Sequence, residues 1–273
     1  MYRKIRNFIF KSGLIRFVAI FIRIRLIFKF NFSNFIKSII WLIRREEFTN
    51  YMYEITKISR NQMVAAVAQV ANKPITEVEK LFEELENDTE FANKLNAKSK
   101  KLKRSYELLF PIPYARRIVW YALIRIYKPN VVVESGTEKG LGSLIIDRAL
   151  EKNAHGQLFT LDIDIYAGGL LDAADKQRIS LMVGDSVESL GKIDNIDFFI
   201  QDSNHSIVHE KLELEALEKK LTNQSVIISD NAHESNVLYD WSKKMGRNFL
   251  FVTEKSKNHW HPGDGIGIST KFK

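Results

Sequence analysis

Polar side chains that could bind a cation follow two apolar runs in the second half of the chain. One run covers residues 196–201 and the other covers residues 224–229. The residues that follow these runs include Asp202, His205, Asp230 and Asn231. Carboxylate and amide oxygens are the ligands that Mg²⁺ and Ca²⁺ prefer, and histidine titrates near neutral pH. The two acids could equally end their strands as caps, with no metal.

A glycine-rich turn follows a third run of this kind, Val131-Val-Val. Glu134 closes the run, Gly136, Gly140 and Gly142 follow, and a helical pattern starts near Ser143. Glycine suits a tight turn in which a ligand approaches bare backbone, and the start of the helix offers free N–H groups. The spacing differs from the dinucleotide pattern G-x-G-x-x-G, and the Lys-Ser/Thr ending of a P-loop is missing.

This stretch resembles motif I of the class I S-adenosylmethionine-dependent methyltransferases, in which the glycine turn holds the methionine part of the cofactor. The resemblance implies that S-adenosyl-L-methionine is the cofactor. It assigns cofactor binding to eight residues: Glu134, Gly136, Gly140, Gly142, Ser143, Asp162, Asp185 and Ser186. Asp162 would accept hydrogen bonds from the ribose hydroxyls, with Asp164 as the near alternative, and Asp185 would lie near the adenine. A helix N-cap is the competing role for each of these acids.

The strand ends at Asp202 and Asp230 resemble the metal site of the catechol and caffeoyl-CoA O-methyltransferases. The Asp-x-x-His spacing of Asp202 and His205 is also similar to that of the macrolide-sugar O-methyltransferases. The resemblance implies that Asp202, Asp230 and Asn231 hold Mg²⁺ or another divalent cation. It makes His205 the general base, with Asp202 beside it in the catalytic site. Ser229 stands where the macrolide-sugar type has the first of two acids, so the ligand set departs from that relative.

The order of the apolar segments predicts an α/β fold. Seven strands are expected at 131–134, 157–162, 180–183, 196–201, 224–229, 249–254 and 265–270, with helices in most gaps. The last two strands are joined by a loop, which predicts a Rossmann-like, mostly parallel sheet with an antiparallel last strand. We expect the methyltransferase domain over residues 111–273 and a helical, solvent-facing accessory region over residues 46–110. His259 and His261, in the last loop, could line an acceptor pocket.

Residues 1–45 form a third segment, which is both apolar and basic. The segment holds 11 of the chain's 41 Lys and Arg residues and no acidic residue, whereas the rest of the chain has more acids than bases. The net charge of +8 therefore belongs to this segment, and a nucleic-acid-binding body is disfavoured. Arg16 and Arg23 interrupt the longest apolar run, which argues against a simple membrane span. Residues 22–32 could form a helix, or a strand in which apolar and polar residues alternate.

Three interpretations of this segment stay open: an anionic membrane surface as its partner, packing on the protein's own body, and a homo-oligomer contact. The first predicts a cytoplasmic protein associated with the inner face of the membrane. It also makes a lipid-linked hydroxyl acceptor plausible beside a sugar or another small molecule. The chain has no cysteine, which excludes disulfides and Cys-ligated metal sites. The rivals to O-methylation are a metal-independent methyltransferase, a Rossmann oxidoreductase and a non-catalytic cofactor-binding module.

Overall fold

A seven-stranded sheet forms the centre of the computed structural model, which describes residues 15–49 and 51–271. The strands are β1 (Val131–Ser135), β2 (Gln157–Asp162), β3 (Ile179–Val183), β4 (Ile196–Gln201), β5 (Leu221–Ser229), β6 (Asn248–Thr253) and β7 (Gly265–Thr270). Their order across the sheet is β3-β2-β1-β4-β5-β7-β6. β7 pairs antiparallel with β5 and with β6, while the first five strands pair in parallel. The predicted Rossmann-like sheet with an antiparallel last strand is confirmed.

Helices precede the sheet and cover both of its faces. They are α1 (Ile15–Leu42), α2 (Lys57–Ala71), α3 (Ile75–Glu86), α4 (Thr89–Lys100), α5 (Arg117–Tyr127), α6 (Leu141–Asn153), α7 (Ser186–Leu190), α8 (Ile207–Leu217) and α9 (Val237–Lys244). No helix in the described ranges is long and apolar enough to cross a membrane. Residues 1–14 of the basic segment lie outside the described residues.

Alternate residues of the inner strands face two separate hydrophobic clusters. Val132 and Phe198 belong to the cluster beneath α5 and α6, whereas Val133 and Phe199 belong to the cluster beneath α7, α8 and α9. All four of these side chains are buried, because helices cover both faces of a parallel sheet. This burial explains the nearly continuous apolar sequence of β1 and β4. Polar residues follow at the strand ends, and several of them, such as Glu134, Gln201 and Asp230, are buried as well.

The region that precedes the sheet packs on α5 through one apolar face. Met63 and Val67 of α2, with Val78 and Phe82 of α3, are fully buried in the cluster that contains Trp120. The side of these helices that faces away from the cluster carries charged residues. The apolar stripe expected at Val78, Leu81, Phe82 and Leu85 is the face by which this region contributes to the core of the sheet domain.

α1 differs from the other helices in its surroundings. Every residue from Ile20 to Ile36 is exposed, so this part of the helix has no apolar neighbour in the body of the protein. Its C-terminal end is held at Trp41, whose Nε1 donates to the backbone oxygen of Glu47 at 3.0 Å and to its Oε2 at 2.9 Å. Between the two alternatives for residues 22–32, the structure has the helix.

Candidate active site

A large cleft opens along the carboxyl ends of β1 to β5, where open α/β sheets bind their ligands. Its volume is about 1490 Å³, which exceeds the roughly 300–1,000 Å³ that a single small ligand usually occupies. The cleft is lined by the predicted residues Glu134, Gly136, Gly142, Asp162, Asp185, Ser186, Asp202, His205, Asp230 and Asn231. Of the twelve predicted site residues, Gly140 and Ser143 do not line the cleft.

The glycines of the turn are required by close approach of other chain segments. Gly136 has φ +98°, and a Cβ at this position would lie 1.9 Å from the backbone oxygen of Asp202. Gly140 caps α6 with φ +90°. A Cβ on Gly142 would lie 2.2 Å from Glu134 Oε1 and 3.0 Å from the ring of Trp120. The turn therefore brings the ends of β1 and β4 together and leaves its outer face open to the cleft.

Glu134 lies beneath the turn and is almost fully buried. Its Oε2 accepts hydrogen bonds from the Ser143 hydroxyl and from Thr160 Oγ1, the latter at 2.7 Å. Burial raises the pKa of Glu134 to about 7, although these two hydrogen bonds oppose the shift. The hydroxyl of Ser143 points at Glu134, so its side chain supports the turn from below and leaves cofactor contact to the backbone of the turn.

Asp162 and Asp185 present carboxylates to the cleft at the ends of β2 and β3. Asp162 accepts from the backbone N–H of Glu138 at 2.7 Å and of Asp164 at 2.9 Å, which fixes its carboxylate beside the glycine turn. Asp185 caps α7 by accepting from the N–H of Glu188 at 3.0 Å. Each oxygen keeps acceptor capacity, because a carboxylate accepts about four hydrogen bonds. The cap and the ligand contact can therefore coexist.

Ser186 lies in the cleft wall but directs its hydroxyl inward. Its Oγ donates to Oε1 of the buried Glu213 at 2.6 Å and lies 3.0 Å from Nε2 of His209. Glu213 also accepts from Gln201 Nε2 at 2.9 Å and from Ser203 Oγ at 2.8 Å. This carboxylate, which the sequence gave no reason to single out, ties α8 to the ends of β3 and β4.

Asp202, Asp230 and Asn231 come together at the adjacent ends of β4 and β5. The N–H of Asp230 donates to Gln201 O at 2.9 Å, and the N–H of Asp202 donates to Ser135 O at 2.8 Å, which extends the parallel pairing up to both acids. Asp230 and Asn231 are buried, and Nδ2 of Asn231 has no hydrogen-bond partner. An unpaired amide beside the cleft is available to a bound ligand.

A buried arginine, Arg116, pairs with Asp230. Arg116 precedes α5, and its Nη2 donates to Asp230 Oδ2 at 2.5 Å while its Nε donates to the other oxygen of the same carboxylate. Its Nη1 lies 3.1 Å from Glu254 Oε2 and 3.4 Å from Asp264 Oδ2. Tyr53 completes the cluster by donating its hydroxyl to Glu254 Oε2 at 2.7 Å. One guanidinium thus joins the ends of β5, β6 and β7.

The charges of this cluster set the protonation of the two acids. Burial raises the pKa of Asp202 well above its usual range, and the negative charge of Asp230 raises it further. Burial alone would also raise the pKa of Asp230, but the Arg116 guanidinium overcomes this effect and holds it below its usual range. The Arg116 guanidinium therefore favours the ionised form of Asp230, whereas burial favours the protonated form of Asp202.

This arrangement does not fit a divalent cation at the predicted ligands. Both oxygens of Asp230 are already engaged by a positive side chain, and this charge opposes a cation at the same carboxylate. No cluster of three His, Cys, Asp or Glu side chains with metal-binding geometry occurs among the described residues. The structure places the three predicted ligands together, but it places a guanidinium with them.

Five of the six histidines can be placed relative to the cleft. His205 is exposed on the cleft wall, three residues after Asp202. His233 and His261 line the same cleft, with Nε2 atoms 3.5 Å and 3.7 Å from Asp264 Oδ1. His209 faces Ser186. His259 is buried away from the cleft, where its Nε2 lies 3.0 Å from Glu47 Oε2, so the predicted pocket role fits His261 alone.

Arg117 is a second arginine that the sequence reasoning missed. Its side chain lines the cleft, its Nε is buried without a hydrogen-bond partner, and its guanidinium carbon lies 5.8 Å from the ring centroid of Trp120. Its positive charge reaches both Glu134 and Asp202, since it lowers the pKa of each. The one sequence signal for these residues is the charged pair Arg116-Arg117 directly before an apolar helix.

Residues 133–232 match the family model described as a methyltransferase domain. This range runs from within β1 to the residues that follow β5. No curated protein matches the chain. Several solved structures are similar to the chain, and the three described below share 20% sequence identity or less with it.

A methyltransferase from Geobacter sulfurreducens has a similar fold. The two chains share 20% identity with a TM-score of 0.52, and the match covers 66% of this chain and 90% of that one. An O-methyltransferase from Bacillus cereus in complex with S-adenosylhomocysteine matches at 15% identity and a TM-score of 0.49, over 71% and 91% of the two chains. The O-methyltransferase TomG from Streptomyces achromogenes, in complex with S-adenosylmethionine, matches at 17% identity and a TM-score of 0.48. The match covers 67% of this chain and 90% of that one.

Proposed function

We propose that this chain is a class I S-adenosylmethionine-dependent methyltransferase, which the methyltransferase-domain match over residues 133–232 supports, and that it transfers the methyl group of its cofactor to a hydroxyl oxygen. The observation that carries the proposal is the polar acceptor end of the cleft. There Asp202, Asp230 and the exposed His205 lie together in the cleft lining with the glycine turn. Such a set can hold a hydroxyl and accept its proton.

Each part of the cleft has a role in this reaction. The open turn after β1 accommodates the methionine part of the cofactor, Asp162 accepts from the ribose hydroxyls, and Asp185 lies at the adenine end. When bound, S-adenosylmethionine supplies an electrophilic methyl group on a sulfonium. The hydroxyl oxygen forms the new O–C bond as the S–C bond breaks, and the hydroxyl proton passes to His205. The products are the methyl ether and S-adenosylhomocysteine, and the enzyme contributes mainly proximity and proton transfer.

The positive charge at the acceptor end comes from the protein itself. A divalent cation was predicted at Asp202, Asp230 and Asn231, and that prediction finds no support in the Arg116–Asp230 pair. We infer that the guanidinium of Arg116 neutralises Asp230 and that no step needs a metal. Buffer that contains EDTA should then leave the rate unchanged, and added Mg²⁺ should not increase it. A rate that depends on Mg²⁺ would restore the metal hypothesis.

The size of the cleft indicates an acceptor that is itself sizeable. Its volume exceeds that of a single small-ligand site, and Tyr51, His233 and His261 line it away from the glycine turn. These aromatic and imidazole side chains combine apolar faces with hydrogen-bonding atoms, as sugar and polyol binding requires. A sugar, a glycolipid or another hydroxyl-bearing small molecule fits this description.

The cofactor assignment is tested by calorimetric titration with S-adenosylhomocysteine. Asp162→Ala should weaken binding by about 10- to 100-fold, because hydrogen bonds to a charged group contribute roughly 1.5–3 kcal/mol. Asp164→Ala is the matched control. Asp164 lies two residues further on, and its carboxylate accepts a hydrogen bond from the N–H of Tyr166 in its own turn. Absence of binding to the wild-type protein would refute the cofactor site, and a larger loss in Asp164→Ala would move the ribose contact to that residue.

The role of His205 is tested by methyl transfer to a panel of hydroxylated acceptors. His205→Ala should lower the rate by about 10²- to 10⁴-fold, the usual contribution of a general base, while the affinity for S-adenosylhomocysteine stays unchanged. His155→Ala serves as the control, because His155 is exposed just before β2, at the opposite end of the sheet. Cofactor binding without turnover on any acceptor would favour a non-catalytic binding module.

A further inference from the structure

We propose that α1 attaches the protein to an anionic lipid surface. An isolated helix in water gains little stability, because most helical stability in proteins comes from packing of an apolar face. α1 extends over Ile15–Leu42, yet all of its residues from Ile20 to Ile36 are exposed. Its apolar side chains are therefore covered by something other than the described body of the protein.

An apolar face runs along the whole helix. Its residues recur at intervals of three, four or seven, which places them on one side of a helix: Phe17, Phe21, Ile24, Phe28, Phe35, Ile39 and Leu42. Each of them is between 45% and 72% exposed. A continuous patch of large apolar side chains of this kind marks a membrane or protein contact.

The charge of the helix identifies the partner as anionic. α1 carries Arg16, Arg23, Arg25, Lys29 and Lys37 and has no acidic residue. None of these bases belongs to the apolar series, so the series itself is free of charge, and the long basic side chains can reach lipid headgroups beside it. Contact between two copies of α1 would bring like charges together without an acid to pair them. Anionic headgroups beside an acyl layer match both features.

The end of the helix is fixed to the loops beside the cleft. Trp41 packs against Trp260, with ring centroids 5.3 Å apart, and shares Glu47 with the buried His259. Glu47 also donates its backbone N–H to Tyr106 O at 2.9 Å, in the loop that supplies Lys103 to the cleft wall. A lipid surface bound by α1 therefore lies close to the acceptor side of the cleft.

This proposal is independent of methyl transfer, and vesicle binding tests it with the full-length protein. Vesicles of phosphatidylcholine containing phosphatidylglycerol should bind the protein, and vesicles of phosphatidylcholine alone should bind it at least about tenfold less. The triple variant Arg23→Gln, Arg25→Gln, Lys29→Gln should lose on the order of 100-fold in binding, since each base near the surface contributes about fivefold. The variant Phe21→Ser, Phe28→Ser, Phe35→Ser should also lose binding.

Ile58→Ser is the control for the apolar variant, because Ile58 is an equally exposed apolar residue on α2. It should bind like the wild-type protein. Binding that ignores phosphatidylglycerol, or that survives both triple variants, overturns the proposal. So does a wild-type dimer in light scattering that becomes monomeric in the phenylalanine variant. Titration with S-adenosylhomocysteine in each variant separates these outcomes from failure of the cofactor site.

The position of the cleft relative to the lipid is tested by fluorescence. The chain has no cysteine, so Lys103→Cys and His155→Cys each create a single site for an environment-sensitive dye. We expect the dye at position 103 to shift its emission on vesicle binding and the dye at position 155 to keep it. A shift confined to position 155 would contradict the inferred orientation.

Discussion

Arg116 forms a two-point ion pair with Asp230, in which Nη2 donates to Oδ2 at 2.5 Å and Nε donates to the other carboxylate oxygen. Both side chains are buried, and 114 positions in the sequence separate them. The pair sits where related enzymes were expected to hold a metal. Its strength and its role can be separated by substitution.

Removing one member of this pair should lower the free energy of unfolding far more than removing both members. Arg116→Met leaves Asp230 buried and uncompensated, which lowers the free energy of unfolding by about 3–5 kcal/mol. Arg116→Met combined with Asp230→Asn should recover most of that loss. Urea denaturation of the wild type, both single variants and the double variant measures the coupling. Additive losses would mean that the two side chains do not stabilise each other.

Arg117 should bind the carboxylate of the cofactor's methionine part. Its Nε is buried without a partner in the cleft wall, so an anionic ligand group can pair with it. Arg117→Gln should weaken S-adenosylhomocysteine binding by about 10- to 100-fold, the effect of a lost charged hydrogen bond. Methylthioadenosine, which lacks the carboxylate, should bind the wild-type protein and Arg117→Gln with equal affinity. Equal losses for the two ligands would assign Arg117 a structural role.

Gly136 should not tolerate a side chain. A Cβ there would lie 1.9 Å from Asp202 O, and that backbone atom cannot rotate away, so Gly136→Ala must separate β1 from β4. We expect a loss of about 1–3 kcal/mol from overpacking and at least tenfold weaker cofactor binding. Gly246→Ala is the control, because its φ is +61° but no atom lies within 4 Å of the added Cβ. Similar results for both variants would show that φ alone matters.

Glu134 should make stability fall as pH rises from 4.5 to 7. Burial raises its pKa from 4.5 to about 7, so within this window the folded protein holds a proton that the unfolded chain has released. The contribution of Glu134 to the free energy of unfolding therefore decreases across the window, by roughly 3 kcal/mol at 1.36 kcal/mol per pKa unit. Above the window, the contribution of Glu134 no longer changes with pH.

Glu134→Gln should remove this part of the pH dependence, since glutamine can still accept from Ser143 and Thr160. Denaturation curves at several pH values across the window, for both proteins, test the expectation. The slope of the free energy of unfolding against pH should differ most between the two proteins from pH 4.5 to 7. Parallel stability profiles would show that Glu134 is ionised throughout.

Local sequence patterns were sufficient to predict the sheet and the residues at its strand ends. Three successive valines and the acid after them located β1, and the alternation of apolar runs with helical segments gave the strand order of the family. The glycines of the turn were predicted for their backbone freedom. Their packing against Asp202 and Trp120 depends on the tertiary structure and was not predictable.

The partners of the predicted residues were not accessible from the sequence. Arg116 meets Glu254 and Asp264 across more than a hundred positions, and nothing local marks which acid an arginine will pair with. Ser186 follows a strand-end acid as expected, but the buried Glu213 turns its hydroxyl inward. In α1, further apolar residues such as Ile22 and Leu26 lie among the bases, away from the apolar series, so the alternation in residues 22–32 matched a strand as well as a helix.

The cluster at Arg116 has a consequence for how acceptor preference can evolve. The guanidinium at the proposed acceptor end of the cleft also joins Asp230, Glu254 and Asp264 at the ends of three strands. A mutation that adapted this residue to a new acceptor would weaken the fold in the same step. Inherited changes of specificity are therefore confined to the rim, where Tyr51, His233 and His261 can vary without releasing a buried charge.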